Sequence, residues 1–195
     1  IDVDSPVEKV LTREGRVSGV ALRSGAEIAA KRVIGNLNPR LLYLKLVDAK
    51  DLDEDFLARM KRWKCGSGSF RMNVALSELP DFSCAPGTHQ QSHHASGIII
   101  APSLAYQDRA WVDARRDGMS AEPIVEVLIP STLDDSLAPL GQHVASLFCQ
   151  QFNPELPEGQ NWDDCRDEAA ERIIETVTRH APNFRRSIIG RQVLS

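Results

Sequence analysis

Hydrophobic and polar positions alternate with a period of two near the start of the chain, and this alternation predicts short β-strands. Three such stretches follow one another, at residues 7–13, 16–23 and 26–31. Gly15 and Gly25 lie in the short turns between them, and glycine readily takes the positive φ that tight hairpins require. The pattern therefore predicts a small three-stranded meander.

A further β-branched and apolar run at residues 32–36 predicts a fourth strand after the meander. Asn38 then suits a helix N-cap, and Pro39 suits the first helical position, where its missing N–H costs nothing. Two helices are predicted next, a mostly buried one at residues 41–47 and a second at 52–63, which Asp51 or Asp53 can cap. The apolar stripe of the second helix is typical of a protein core, and the wall of a substrate tunnel is the alternative.

The clearest half-buried strand is predicted at residues 70–76, where apolar side chains share one face. The opposite face either meets water or lines a site, and it consists of Arg71, Asn73, Ala75 and Ser77. Further strands are predicted at residues 95–101, 124–129, 142–153 and 187–194. Because these elements show no regular βαβ alternation, the sequence predicts an α+β fold, a mainly antiparallel sheet with helices on one face.

Two longer helices are predicted between these strands. The first spans residues 103–116, with Leu104, Trp111 and Ala114 on its inward face and Gly118 as its terminator. The second spans residues 162–180 and has Asn161 as its N-cap. Its inward stripe is predicted to be Ala169, Ile173, Ile174 and Val177.

The composition excludes several classes of protein. With 195 residues, 42% hydrophobic and 26% charged, the chain is typical of a folded globular protein. A net charge of −4 gives no basic footprint for nucleic acid, so no nucleic-acid partner is expected. The lack of a long apolar run or a basic amphipathic helix argues against membrane contact. None of the four cysteines forms a C-x-x-C pair, which fits reduced thiols and predicts a cytoplasmic location.

No residue pattern identifies a catalytic group, so the catalytic residues stay unassigned. No metal site is predicted, because no third ligand has a suitable spacing to the histidines of the central loop: His89, His93 and His94. Ser131 does not lie in a G-x-S-x-G turn, which argues against hydrolysis. An ion-paired surface and an acid/base pair are alternatives for three carboxylates on one helix face: Glu168, Glu171 and Glu175.

The run from Val7 to Pro39 contains E-G-R-V-S-G-V-A-L-R-S-G-A-E-I-A-A-K-R-V-I-G-N-L-N-P. It resembles the last part of the FAD-binding half of phytoene desaturase-like flavoproteins, in the amine-oxidase and phytoene dehydrogenase superfamily. Later blocks resemble the substrate-side domain of the same family, at residues 69–82 (SFRMNVALSELPDF), 143–153 (HVASLFCQQFN) and 162–191. The order of these blocks carries the resemblance, which spans nearly the whole chain.

The resemblance implies a division of the chain, with residues 1–39 in the C-terminal part of an FAD-binding region and 40–195 in a substrate-side α+β domain. It also implies an FAD-dependent oxidoreductase that removes hydride from a carbon and leaves a double bond. The adenine end of FAD is expected at Val7 and Glu8, while Gly35 and Asn36 approach the dinucleotide from the other side. Simple pairing of these residues within a sheet is the alternative.

No G-x-G-x-x-G occurs in the chain, although this turn cradles the phosphates in dinucleotide-binding folds. We therefore expect a central fragment of a longer parent protein, inactive and without FAD by itself. Its expected partners are a small apolar substrate and the dinucleotide-binding domain of its own parent chain, and a homodimer stays open. The alternative function is a non-catalytic binding or dimerisation module of a flavoprotein-like parent.

Overall fold

Residues 1–65, 68–87 and 89–194 are described by a computed structural model of the chain. They fall into two compact units, one that ends at Cys65 and one that follows it. The predicted α+β class is confirmed, because the chain forms a three-stranded and a five-stranded antiparallel sheet together with helices. The functional division at residues 39 and 40 stays a prediction, since the compact units follow packing and not cofactor binding.

The first unit begins with the predicted meander. Its strands are β1 (Val7–Arg13), β2 (Arg16–Leu22) and β3 (Glu27–Ala29), paired antiparallel in that order. The predicted fourth strand at residues 32–36 is wrong, because these residues form no regular element. A strand is held by hydrogen bonds to a neighbour, and this segment has no neighbouring strand among the described residues, so Ile34 stays 96% exposed.

Helical structure follows the meander, as predicted. Asn38 caps α1 (Pro39–Leu41) by accepting from the Arg40 N–H, and a π-helical turn continues over Leu42–Leu46. This segment is half-buried where a mostly buried helix was predicted. Next comes α2 (Glu54–Arg62), which Asp53 caps at the Phe56 N–H, and Phe56 meets the edge of Tyr43 with ring centroids 4.8 Å apart. Phe56 of the α2 stripe therefore packs within its own unit, Met60 is buried, and Trp63 at the end of the stripe is 50% exposed.

The second unit is built on five strands, the number predicted. They are β4 (Gly68–Leu76), β5 (Ile98–Ile100), β6 (Met119–Leu128), β7 (His143–Phe152) and β8 (Ile188–Leu194). Their order in the sheet is β5-β6-β7-β4-β8, and every neighbouring pair is antiparallel. The first strand of this unit, β4, is therefore an inner strand of the sheet, paired on both sides.

The helix α3 (Leu104–Asp117) follows β5 along the chain and has Ser103 as its N-cap. Two of its three predicted inward residues are wrong: Leu104 is 79% and Trp111 is 52% exposed. The buried positions are Tyr106, Ala110 and Ala114, spaced four apart. Small alanines let the helix approach closely, while the Tyr106 hydroxyl finds a buried acceptor in the Pro123 carbonyl at 2.9 Å.

The long helix α4 (Trp162–His180) has the predicted bounds, and the short α5 (Phe184–Ser187) follows it. The Asn161 side chain accepts from the Asp164 N–H and caps α4. The predicted inward stripe of α4 is buried and joins the apolar side chains of β4, β6 and β7 in one core. Cys149 lies fully buried in that core, where burial raises the pKa of its thiol. Among the described residues, no helix combines the length and apolarity needed to cross a membrane.

Candidate functional site

The side of the five-stranded sheet that points away from the core carries a mixed polar and apolar surface, here called the outer face. Side chains alternate between the two sides of a strand, so burial alternates along β4, β6 and β7. The prediction that Arg71, Asn73 and Ala75 share one face of β4 is confirmed by this alternation. The outer face consists of Arg71, Asn73, Ala75, Ile99, Ile124, Glu126, Leu128, Val144, Ser146, Phe148, Gln150, Gln192 and Leu194.

Strand register places five of these residues in one row across the whole sheet. The row reads, in sheet order, Ile99, Glu126, Phe148, Arg71 and Leu194. Neighbouring strands lie about 4.8 Å apart, so the backbones of Glu126 and Arg71 are separated by about 10 Å, with Phe148 on the strand between them. The row therefore has an apolar side chain at each end, and between them an anion, an aromatic ring and a cation follow one another.

Arg71 is held in place by its neighbours on β7. Its Nη1 donates to the Ser146 hydroxyl at 2.9 Å, and its guanidinium lies 5.4 Å from the centroid of the Phe148 ring. In the next row Asn73 donates through Nδ2 to Gln192 Oε1 at 3.1 Å. These contacts fix the polar groups of the outer face at defined positions, which suits binding and orientation of a ligand.

The outer face offers no nucleophile activated by a neighbouring base among the residues that the structure describes. Ser146 accepts from Arg71, and Asn73 pairs with a side-chain amide. The arrangement can therefore bind and orient a molecule, while the bond-making chemistry must come from another group. Sequence reasoning identified the β4 half of this face and missed Glu126, Ser146 and Phe148, whose only signal was their alternation with buried neighbours.

The predicted cofactor-binding residues lie in the first unit in two separate segments. Val7 and Glu8 are exposed at the start of β1, where a register shift between Val7 and Lys9 leaves Glu8 without an opposite residue on β2. Gly35 and Asn36 lie outside any regular element and are exposed. No hydrogen bond among the described residues joins the two segments, and their role as the FAD site stays a prediction.

The acidic side of α4 is an ion-paired surface, which was one of the two predicted alternatives. Glu171 accepts from Arg185 at 2.7 Å and from Arg191 at 2.6 Å, and these two hydrogen bonds lower the pKa of its carboxyl. Glu168 pairs with Arg172, and Glu175 lies near Arg179 and Arg185. The lowered pKa makes Glu171 a poor proton donor, and the arginine partners of all three carboxylates correspond to the ion-paired alternative.

The central histidines serve the fold. His94 is buried, accepts from the Gln91 N–H through Nδ1 at 3.0 Å and lies 2.9 Å through Nε2 from the Pro80 carbonyl, so both ring nitrogens are occupied. Its neighbour His93 stacks on it with ring centroids 4.0 Å apart. In the part of the chain that the structure describes, no group of three or more His, Cys, Asp or Glu side chains could hold a metal ion.

Comparison with known proteins gives the class to which these features correspond. No family model matches the chain. Similar curated proteins are named as pyridine nucleotide-disulfide oxidoreductase domain-containing protein 2 or as prolycopene isomerases, and one similar solved structure is named as an oxidoreductase. The predicted resemblance to phytoene desaturase-like oxidoreductases is confirmed by these relatives, which match the chain over at least 96% of its length.

The particular relatives are as follows. The chain is 34% identical over 201 aligned positions to pyridine nucleotide-disulfide oxidoreductase domain-containing protein 2 of Rattus norvegicus, a match that covers all of this chain and 35% of the rat protein. It is 25% identical to prolycopene isomerase 2, chloroplastic, of an Oncidium hybrid cultivar, covering 96% of this chain and 29% of the isomerase. The chain therefore spans about a third of the length of its curated relatives.

A solved structure supports the fold. An oxidoreductase from Methanosarcina mazei superposes with a TM-score of 0.52 at 19% sequence identity. The match covers 96% of this chain and 36% of that protein.

Proposed function

We propose that the chain is a segment of a longer FAD-dependent oxidoreductase, in which the outer face forms a wall of the substrate space. The observation that carries the proposal is the match along the whole of this chain to an oxidoreductase relative, of which the match covers only 35%. The outer face adds physical support, because its described residues hold fixed binding groups without any catalytic acid, base or nucleophile. A protein that relies on a cofactor for its chemistry needs only groups that bind and orient the substrate.

The residues of the first unit fit the adenine end of FAD. The irregular register at Glu8 leaves a backbone N–H and C=O outside the ladder of β1 and β2, and such groups can pair with the edge of a planar ring. Gly35 is exposed and lacks a side chain, so a ligand can approach its backbone closely. FAD held there would supply the acceptor for a hydride from one carbon of the substrate, a proton would leave the neighbouring carbon to solvent, and the proposed product contains a new double bond.

Binding and orienting the substrate are the proposed tasks of this chain's own residues. The outer face binds a substrate with apolar groups, orients it through fixed polar contacts and excludes water from the part it covers. Its partner in this task is the dinucleotide-binding domain of the same protein. We expect the 195-residue chain alone to be inactive, because it lacks the glycine-rich turn that cradles phosphates.

The test is the visible absorption spectrum of the full-length protein that contains this chain. We expect a flavin band that persists through desalting, and the isolated chain is expected to retain no FAD. A colourless full-length protein that does not take up added FAD would contradict the proposal and favour a non-catalytic binding or dimerisation module. Micromolar binding of FAD to the isolated chain would contradict the need for the missing turn.

Gly35 provides a variant that separates cofactor binding from folding. A Cβ at this position would lie 3.1 Å from Leu42 Cδ2, the end of a side chain that can move. Gly35→Ala is therefore expected to fold and to lower FAD affinity about tenfold through closer contact with the dinucleotide. Gly97→Ala is the matched control, because its Cβ would make only ordinary contacts at 3.7 Å and longer.

A further inference from the structure

Arg71 is the arginine of the five-stranded sheet that lies on the outer face, and like Arg109, Arg115 and Arg166 on the helices it has no ion pair among the described residues. Among the described residues, carboxylate oxygens lie within 4.0 Å of six arginines of this unit: Arg116, Arg172, Arg179, Arg185, Arg186 and Arg191. No described carboxylate lies that close to Arg71, whose contacts are a hydroxyl and an aromatic ring. The outer face therefore presents a positive charge that the described residues do not neutralise.

The guanidinium of Arg71 is also preorganised. A guanidinium has five N–H donors in a planar fork, and the hydrogen bond to Ser146 uses one of them. The contact with the Phe148 ring restricts the plane of the group. The donors that are left match the two oxygens of a carboxylate, which is the geometry that arginine binds best.

The surroundings of Arg71 define the rest of the ligand. Apolar side chains with exposed area lie on the strands to either side, namely Ile99, Leu128 and Leu194 at 65%, 41% and 47% exposure. Phe148 and Ile124 lie between them and are half-buried. Glu126 is the one carboxylate in the cross-strand row and lies on β6, two strands from Arg71, towards the far end of such a ligand. A second anionic group at that end would be repelled.

We propose that the outer face binds a small amphipathic monocarboxylate. Its carboxylate pairs with Arg71, and its apolar body lies over Phe148 towards Ile124 and Leu128. This inference rests on the proposed function in treating the outer face as the substrate side, and it names the substrate class: an acid with an apolar chain or ring system. A purely hydrocarbon substrate would leave Arg71 desolvated without a partner, which is costly.

The experiment compares three ten-carbon probes by isothermal titration calorimetry on the full-length protein. Decanoate is expected to bind about tenfold or more tightly than decan-1-ol, because a charge-assisted hydrogen bond is lost in the alcohol. Decanedioate is expected to bind more weakly than decanoate because of Glu126. Equal affinities for decanoate and decan-1-ol, or no binding of either, would overturn the inference.

Variants test whether Arg71 causes the preference for decanoate over decan-1-ol. Arg71→Gln should reduce decanoate affinity to that of decan-1-ol and leave decan-1-ol binding unchanged, while Arg71→Lys should keep part of the preference. Arg115→Gln is the matched control, since Arg115 also lies 5.4 Å from an aromatic centroid, that of Trp111, on α3. A decanoate preference that survives Arg71→Gln would contradict the assignment. Thermal unfolding of each variant checks that the fold is kept.

The flavin spectrum distinguishes failure of this inference from failure of the proposed function. A protein with bound flavin and no carboxylate preference would contradict the inference alone. A colourless protein whose decanoate binding depends on Arg71 would contradict the redox function and support the binding site.

Discussion

At the scale of single residues, Gly118 shows how strongly one position can depend on having no side chain. It ends α3 with φ at +86°, and a Cβ there would lie 2.6 Å from Leu156 Cδ2 and 2.9 Å from Pro157 Cδ. Gly141 has a similar φ of +79°, but a Cβ on it would have no described neighbour within 4 Å. The two glycines therefore separate backbone strain from steric overlap.

Gly118→Ala is expected to lower the free energy of unfolding by about 2–4 kcal/mol, from left-handed strain plus overpacking. Gly141→Ala is expected to cost about 1 kcal/mol, the strain alone. Urea unfolding of the two variants beside the unchanged chain measures both values. Equal losses would show that Leu156 and Pro157 move aside without cost.

His93 makes stability depend on pH. Its Nε2 is buried without a hydrogen-bond partner among the described residues, and burial, followed by the nearby His94, lowers its pKa below 6.5. The unfolded chain therefore takes up the proton first as the pH falls. The stability that neutral His93 contributes is complete above about pH 6.5 and is lost as the pH falls through the lower pKa of the folded state.

Urea midpoints at about pH 7.5 and 5.5 test this dependence. We expect a lower midpoint at the acidic pH, and His93→Gln should reduce the difference between the two. Burial also lowers the pKa of His143, so part of the difference should persist in that variant. His89→Gln, at an exposed position, serves as the control and should leave the profile unchanged.

At the scale of elements, α4 is the helix whose packing the core depends on. Ile173 is fully buried between the helix and the sheet. Ile173→Ala is expected to cost about 2–5 kcal/mol, because it removes buried methyl groups and leaves a cavity. Ile189→Ala on β8, where the side chain is 55% exposed, should cost much less. Chemical denaturation of both variants compares the two sites, and similar losses would place the core elsewhere.

Elements with a long, consistent period were predictable from the sequence. The 19 residues of α4 give several turns of pattern plus a cap, and β4 alternates over its whole length. The inward face of α3 was not predictable, because small alanines determine it while the large Leu104 and Trp111 are exposed. Residues 32–36 have strand composition without a partner strand among the described residues, and composition does not supply hydrogen bonds.

The candidate site was predictable on one strand only. Alternation along β4 places Arg71 and Asn73 on one side, but Phe148, Glu126 and Leu194 come from three other strands. Which residue lies opposite Arg71 depends on strand order and register, and these are properties of the folded sheet.

At the scale of the whole molecule, residues 32–36 test whether this segment pairs with a strand from another part of the full-length protein. We expect their amide hydrogens to exchange with solvent fast in the isolated chain, since no described backbone group accepts from them, while the amides of β4 are protected by pairing on both sides. In the full-length protein the same segment should exchange slowly if it joins a further sheet. Hydrogen-exchange mass spectrometry of the two proteins makes the comparison, and equal, fast exchange in both would contradict that expectation.

The inner position of β4 has a consequence for how the protein is made. The hydrogen bond between Asn73 and Gln192 joins residues 119 positions apart, so β4 gains its second neighbour only after nearly all of the second unit has been synthesised. At about 5–20 residues per second, roughly 6–24 s pass before β4 can pair on both edges, and neither edge can pair until β7 has been made. Closure of so long a loop also slows folding. Synthesis of the protein is therefore expected to depend on chaperones that cover β4 during this interval, whereas the strands of the meander pair with their neighbours in sequence soon after each is made.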